Sequence, residues 1–241
     1  MSESGGTAAQ AAQLGYSLQA RVAMDRVRDI VTVPGHFDVL WVLCNADDQV
    51  QRRWLRGRSL GKRSTPTAAR SPHTRGLLDA FCREELSRLL GERRHHFVFP
   101  VFGSEAFPPL VALLRRLGLY RPSPIMSTLH HRFGSWWAVR AVIALSGYLE
   151  PYPEPGLGLD PCLRCSAPCT AACPSGAVTR EGWQWERCAA ERCSDNSPCS
   201  DQCLARLVCP AGEESRYADS VIRYHYSASL PSLREALKSS R

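Results

Sequence analysis

The stretch PCLRCSAPCTAACPSGAV, residues 161–178, sets four cysteines at Cys162-x2-Cys165-x3-Cys169-x3-Cys173 and follows the last with Pro174. At such spacings one turn of loop aims three sulfurs at a common centre. A second group follows: Cys188, Cys193, then Cys199-x3-Cys203-x5-Cys209-Pro210. Disulfide staples, structural zinc and electron-carrying clusters all use closely spaced cysteines, and the rest of the chain has to choose among them.

The chain has 241 residues, 44% of them apolar, and a formal net charge of +7. That composition suits a folded globular protein with one large domain or two smaller ones. The N-terminal MSESGGTAAQAAQLG has neither a basic n-region nor a leucine-rich h-region, so a cytoplasmic, reducing compartment is expected. Eleven cysteines in that setting argue for metal or redox chemistry over disulfides. WWAVRAVIALSGYL, residues 136–149, is too short to span a bilayer and is broken by Arg140, so no membrane partner is expected. Charge is uneven: residues 1–150 carry 20 Lys and Arg against 12 Asp and Glu, whereas residues 151–241 carry 10 against 11. No GxGxxG after a strand, P-loop or HExxH occurs, so dinucleotide, nucleotide and zinc-protease readings lack support.

Working outward, the Pro/Gly-rich EPYPEPGLGLDP at 150–161 reads as a linker between an α+β domain, 1–154, and a cysteine-rich domain, 155–241. Residues 7–31 have helix-forming composition, and FDVLWVLC at 37–44 reads as a buried strand. The Arg-rich region 52–75, free of acids, reads as a loop that either meets tRNA phosphates or a partner protein, or is simply solvated. An amphipathic helix is expected at 74–90, a strand at 95–102, a helix at 108–119, and two further strands at 123–131 and 135–147.

Two cysteine groups, each closed by Cys-Pro, resemble two-cluster ferredoxins, in which the fourth ligand of each [4Fe–4S] cluster comes from the other motif. That resemblance implies Cys162, Cys165, Cys169 and Cys209 for one cluster, and Cys173, Cys199, Cys203 and either Cys188 or Cys193 for the other. Cys44 and Cys82 are left as small core residues. Zinc remains the alternative occupant of such pairs.

The segment LHHRFGSWWAVRAVIAL, 129–145, resembles both the type C cobalamin-processing chaperones and the epoxyqueuosine reductases, through His130, Arg132, Phe133, Gly134, Ser135, Trp136, Ala138 and Arg140. EESRYADSVIRYHYS, 213–227, is also similar to a stretch of the chaperones. The resemblance implies a nitroreductase-like, cobalamin-binding core followed by a small, mostly helical ferredoxin-like module with two [4Fe–4S] clusters. An Arg-Cys after the first Cys-Pro supplies the missing ligand in the reductases, which selects Cys188, preceded here by Arg187. The implied function is an iron–sulfur oxidoreductase that takes electrons from a low-potential donor and delivers them to a corrinoid. The implied cofactor contacts are His130, Arg132, Gly134, Trp136 and Arg140. If the strand alternates from 132 to 140, Arg132 and Arg140 share a face with His130. The YVDSGP segment that carries the reductases' catalytic aspartate is missing; its nearest counterpart is SEAFPP, with Glu105 in the acid's place. A tRNA-modifying enzyme and a non-enzymatic electron carrier are the rival functions. For the 129–145 segment the plainer alternative is a turn and core strand, with Gly134 serving backbone geometry and the tryptophans packing.

Overall fold

The computed structural model describes residues 6–59, 75–100, 109–125, 128–149 and 158–239. Within them the chain is mixed α+β, with a four-stranded antiparallel sheet and eight α-helices. It divides into two compact units: Met1–Arg70, Gly76–Tyr120 and Trp137–Leu157 form the first, and Ser71–Arg75, Arg121–Trp136 and Gly158–Arg241 the second. Residues 121–136, which the sequence assigned to the first domain, group in the second unit with the cysteines; the expected boundary at 154/155 lies outside the described residues.

In the first unit, helix α1 (Thr7–Gln13) leads through Gly15 into strand β1 (Leu18–Ala23), followed by β2 (Val39–Asn45), α2 (Gln49–Ser59), α3 (Arg75–Leu90), β3 (His95–Phe99), α4 (Leu110–Arg116) and β4 (Ala138–Leu145). The sheet order is β1-β2-β4-β3, every neighbouring pair antiparallel, with Leu18 opposite Cys44, Val42 opposite Val142 and Phe97 opposite Ile143. The two central strands carry the continuous apolar runs, and Leu40 to Cys44 and Ala141 to Leu145 are fully buried, as strands covered on both faces require. An ion pair fastens the helices: Arg53 on α2 meets both oxygens of Glu85 on α3, at 2.6 and 2.8 Å, and the Tyr16 hydroxyl donates to Glu85 at 2.8 Å.

Three sequence expectations change here. The helix expected over 7–31 stops at Gln13, and β1 takes residues 18–23. The expected loop 52–75 begins as the continuation of α2, whose Val50, Gln51 and Trp54 are buried; residues 60–74 lie outside the described residues. No strand forms among the described residues of 123–131, and the 135–147 strand shortens to β4.

The second unit holds only short helices and one long one: α5 (Pro168–Ala171), α6 (Trp185–Cys193), α7 (Leu204–Leu207) and α8 (Asp219–Ser239). Here α5 packs on α7 and α6 on α8. Among the described residues no helix is long and apolar enough to cross a membrane.

Candidate metal centre

Each cysteine of the first motif is presented by a local turn. The Asp160 carboxylate accepts from the Cys162 N–H at 2.8 Å, and the Cys165 N–H donates to the Cys162 carbonyl at 3.2 Å. Ala167 adopts φ 60°, and Pro168 opens α5, which carries Cys169. After Cys173 the chain turns sharply, with the Gly176 N–H donating to the Cys173 carbonyl at 3.0 Å. The second motif is framed the same way. Ser197 Oγ accepts from the Cys199 N–H at 3.0 Å, the Arg206 N–H donates to the Cys203 carbonyl at 3.0 Å, and the Cys209 N–H donates to the Arg206 carbonyl at 3.2 Å.

These turns sort the thiols into two sets. Cys162, Cys165, Cys169 and Cys209 line one cavity of about 280 Å³, walled also by Pro122, Pro124 and Ile125. Burial pushes the Cys162 thiol up to about 11, aided by Asp160 and by the negative charges that Cys209, Cys165 and Cys169 would carry. Burial likewise raises Cys169 and Cys209, and Cys165 adds to both. The other set is linked by the same mutual effect. Cys188 is raised first by burial, then by Cys203 and Cys173; Cys199 is raised by burial, then by Cys203, Glu191 and Cys173. Cys173 differs, for burial is outweighed by the Ser175 hydroxyl and the N–H groups of Val178, Ala177 and Ser175, and its thiol is lowered. Such a nest of donors favours the thiolate that metals take.

Cys188 is thus the member of the Cys188/Cys193 pair whose thiol feels the charges of Cys203 and Cys173. Both lie on α6, five residues and roughly 140° apart around the helix, so Cys193 points away from the face that Cys188 presents. An apolar core of Ala167, Cys169, Val178 and Ala205, with Ile125, Cys173, Trp183 and Cys203 packed against it, connects one set to the other. Among the described residues no three His, Cys, Asp or Glu side chains converge as ligands of a single metal ion do.

The 129–136 segment does a definite job in this unit. His130 and Gly134 close a tight antiparallel bridge, with the His130 N–H donating at 2.9 Å and the Gly134 N–H at 2.8 Å. Gly134 has φ +54°, and a Cβ there would lie 1.7 Å from the Ala211 carbonyl oxygen. Gly212 mirrors it, with φ +69° and a virtual Cβ 2.1 Å from the Phe133 carbonyl carbon. Two glycines therefore let the turn and the loop after Cys209-Pro210 touch backbone to backbone.

Of the candidate cofactor contacts, Trp136 is fully buried, its ring 4.1 Å beneath the Arg206 guanidinium and edge-on to Tyr217. His130 is buried, stacked on Phe133, and its Nδ1 accepts from the Arg132 N–H at 3.2 Å, which leaves the neutral ring's proton on Nε2. Arg132 is exposed. Arg140, on β4 of the first unit, donates through Nε to Asn45 at 2.5 Å. The expected strand from 132 to 140 is replaced by the turn at 130–134, so alternation no longer assigns Arg132 and Arg140 a common face. Glu105 lies outside the described residues.

Cys44 and Cys82 are fully buried in the first unit. Burial pushes both thiols up, Cys82 to about 12, the behaviour of inert core cysteines. The sequence reading missed Arg206 and Gly212. A glycine two residues after the second Cys-Pro was the available signal for the close approach; nothing marked Arg206. Compared with protein-family models and with curated proteins, the chain matches none.

Proposed function

We propose that the chain is an iron–sulfur redox protein that passes electrons through two [4Fe–4S] clusters to a corrinoid. The observation that carries the reading is the gathering of Cys162, Cys165, Cys169 and Cys209 around one cavity; Cys173, Cys188, Cys199 and Cys203 are the second set that the reading assigns. In a bare cavity four thiolates repel one another, and a cationic cluster core relieves that repulsion. When bound, such clusters supply one-electron transfer at low potential. The protein's part is to hold the thiolates, to donate amide hydrogens to Cys173, and to wall the first site with Pro122, Pro124 and Ile125.

The corrinoid recipient, and with it a nitroreductase-like first domain and enzymatic activity, rests on the resemblance of the 129–145 segment. Arg132, exposed on its turn with the exposed His131 beside it, is the implied contact that remains available to a ligand. A simple electron carrier is the second reading. It is favoured by the exposed Leu159, Leu163 and Val208, which sit within three residues of Cys162 or Cys209 and offer a partner an apolar surface.

Anaerobic reconstitution followed by titration with hydroxocobalamin tests both parts. The expected result is about eight irons per chain, a base-off change in the corrin spectrum, and corrin reduction that depends on the clusters. Zinc in place of iron refutes the cluster assignment. Full clusters with an unaltered corrin spectrum refute the corrinoid and leave the carrier.

A further inference from the structure

We infer that Arg206 is a positioning residue for the first cluster: Ser135 and Trp136 fix its guanidinium beside the Cys209 loop, and its charge sets that cluster's reduction potential. The inference rests on the iron–sulfur reading and goes beyond it by naming what separates the two centres electrostatically.

Arg206 stands on α7, three residues from a cysteine of each set, and its backbone bonds to both. Its N–H donates to the Cys203 carbonyl and its carbonyl accepts from the Cys209 N–H. The side chain runs to the 129–136 turn. Nε donates to Ser135 Oγ at 3.1 Å and one terminal nitrogen to the Ser135 carbonyl at 2.7 Å. The guanidinium carbon lies over the Trp136 ring, 4.1 Å from its centroid, with the Tyr217 centroid at 5.5 Å. Among the described residues the Trp136 indole N–H has no hydrogen-bond partner, and the fully buried ring takes Arg206 at 4.1 Å and, farther off, Arg216 at 5.8 Å. Stacking and a two-point grip hold a planar guanidinium far more rigidly than an ammonium.

No carboxylate pairs with Arg206 among the ion pairs of the described residues, whereas the exposed Arg223 and Arg116 each have one. Its side chain ends on Ser135, next to Gly134, which approaches the Ala211 backbone two residues beyond Cys209. The other set has its own cation. Arg192 donates to the Cys199 carbonyl at 3.2 Å, to the Tyr226 carbonyl and to Ser229. Reduction adds one electron to a cluster already negative, so a fixed cation nearby favours the reduced form. Removing Arg206 therefore makes the first cluster harder to reduce.

The experiment is an anaerobic redox titration of the full reconstituted chain, followed by electron paramagnetic resonance. The first cluster's signal is assigned from Cys188→Ser, which lacks a ligand of the second. Arg206→Gln should retain iron and raise the oxidised-to-reduced ratio of the first cluster about tenfold at a fixed potential, a fall of ~59 mV for one electron. The second cluster should move far less. Arg206→Lys, which keeps the charge and loses the fork, should recover most of the shift. Two unchanged potentials, or equal shifts in both clusters, overturn the inference. Should Arg206→Gln not fold, Ser135→Ala loosens the grip and keeps the charge; a smaller fall in the first cluster alone supports the inference, and no change overturns it. A wild-type chain that binds no iron defeats the underlying reading instead, before any variant is compared.

Discussion

Gly134→Ala isolates the close approach on which the Cys209 loop depends, because the chain contains its own control. Gly134 and Gly91 share φ +54°, a left-handed conformation that costs an alanine about 1 kcal/mol. At Gly91, just beyond α3, a Cβ meets nothing within 4 Å. At Gly134 it meets Ala211 O at 1.7 Å and Ala211 C at 2.4 Å, both backbone atoms that cannot rotate away. Forcing the turn and the loop apart adds about 1–3 kcal/mol of overpacking. Gly91→Ala should therefore cost about 1 kcal/mol, and Gly134→Ala about 3. Amide hydrogen exchange read in each substituted region reports the two separately. Peptides covering 128–136 and 204–217 should exchange roughly a hundredfold faster in Gly134→Ala, against about fivefold around Gly91 in its variant. Iron analysis should show the first cluster lost before the second. Equal acceleration in both variants would refute the reasoning, since backbone strain would then account for everything.

Three further outcomes are expected. Cys188→Ser should bind about half the iron of the wild type, whereas Cys193→Ser should bind the full complement; the reverse pattern would move the ligand to the end of α6. Burial, with the charges of His131, Arg132 and Arg121, holds His130 down at about 4, so the folded unit favours the neutral ring. Between pH 6.5 and 4 the unfolded chain binds the extra proton. The stability His130 contributes is full above 6.5 and is lost as the pH falls through that window, by about 2–3 kcal/mol. His130→Gln should flatten that part of the urea stability profile relative to the wild type. Gln51 is 1% exposed, and among the described residues neither end of its amide has a hydrogen-bond partner. Gln51→Leu should leave stability unchanged or raise it by about 1 kcal/mol in chemical denaturation, and a loss above that size would mean that the amide is satisfied.

The parts of the fold legible in the sequence are those where one local force dominates. The run VLWVLC had to be an inner strand, and the leucines of 77–90 had to lie along a helix; β2 and α3 follow. β1 was hidden because its second residue is polar and still buried. Gln19 donates to the carbonyls of Ala8 and Tyr16 and accepts from the Trp41 indole at 3.0 Å. Such a residue carries no alternation signal, and pairing with β2 overrides the helical composition around it. The start of the Arg-rich region misled in the opposite way. Arg52 and Arg56 are the outer face of a helix whose inner face is Val50, Gln51 and Trp54, and Asp47 prepares the start by accepting from the Gln49 N–H at 2.8 Å. For the site, the resemblance to two-cluster ferredoxins implied the two cysteine sets, and the Arg-Cys of the reductases implied Cys188. On α6, Cys188 and Cys193 lie roughly 140° apart. The partners of the 129–136 turn were not legible, because they lie some seventy residues away along the chain.

That separation bears on how the chain is made and divided. The second unit is built from pieces that straddle β4, so the polypeptide visits it, returns to complete the sheet, and leaves again. A ribosome releases the turn that seats Gly212 long before Gly212 exists, and β4 is laid down in the interval. Exchange of modules between genes meets the same obstacle. A fragment cut at the Pro/Gly-rich linker would carry every cysteine of both sets and Arg206 as well, yet leave behind Gly134, Ser135 and Trp136, the surface against which the loop after Cys209 closes.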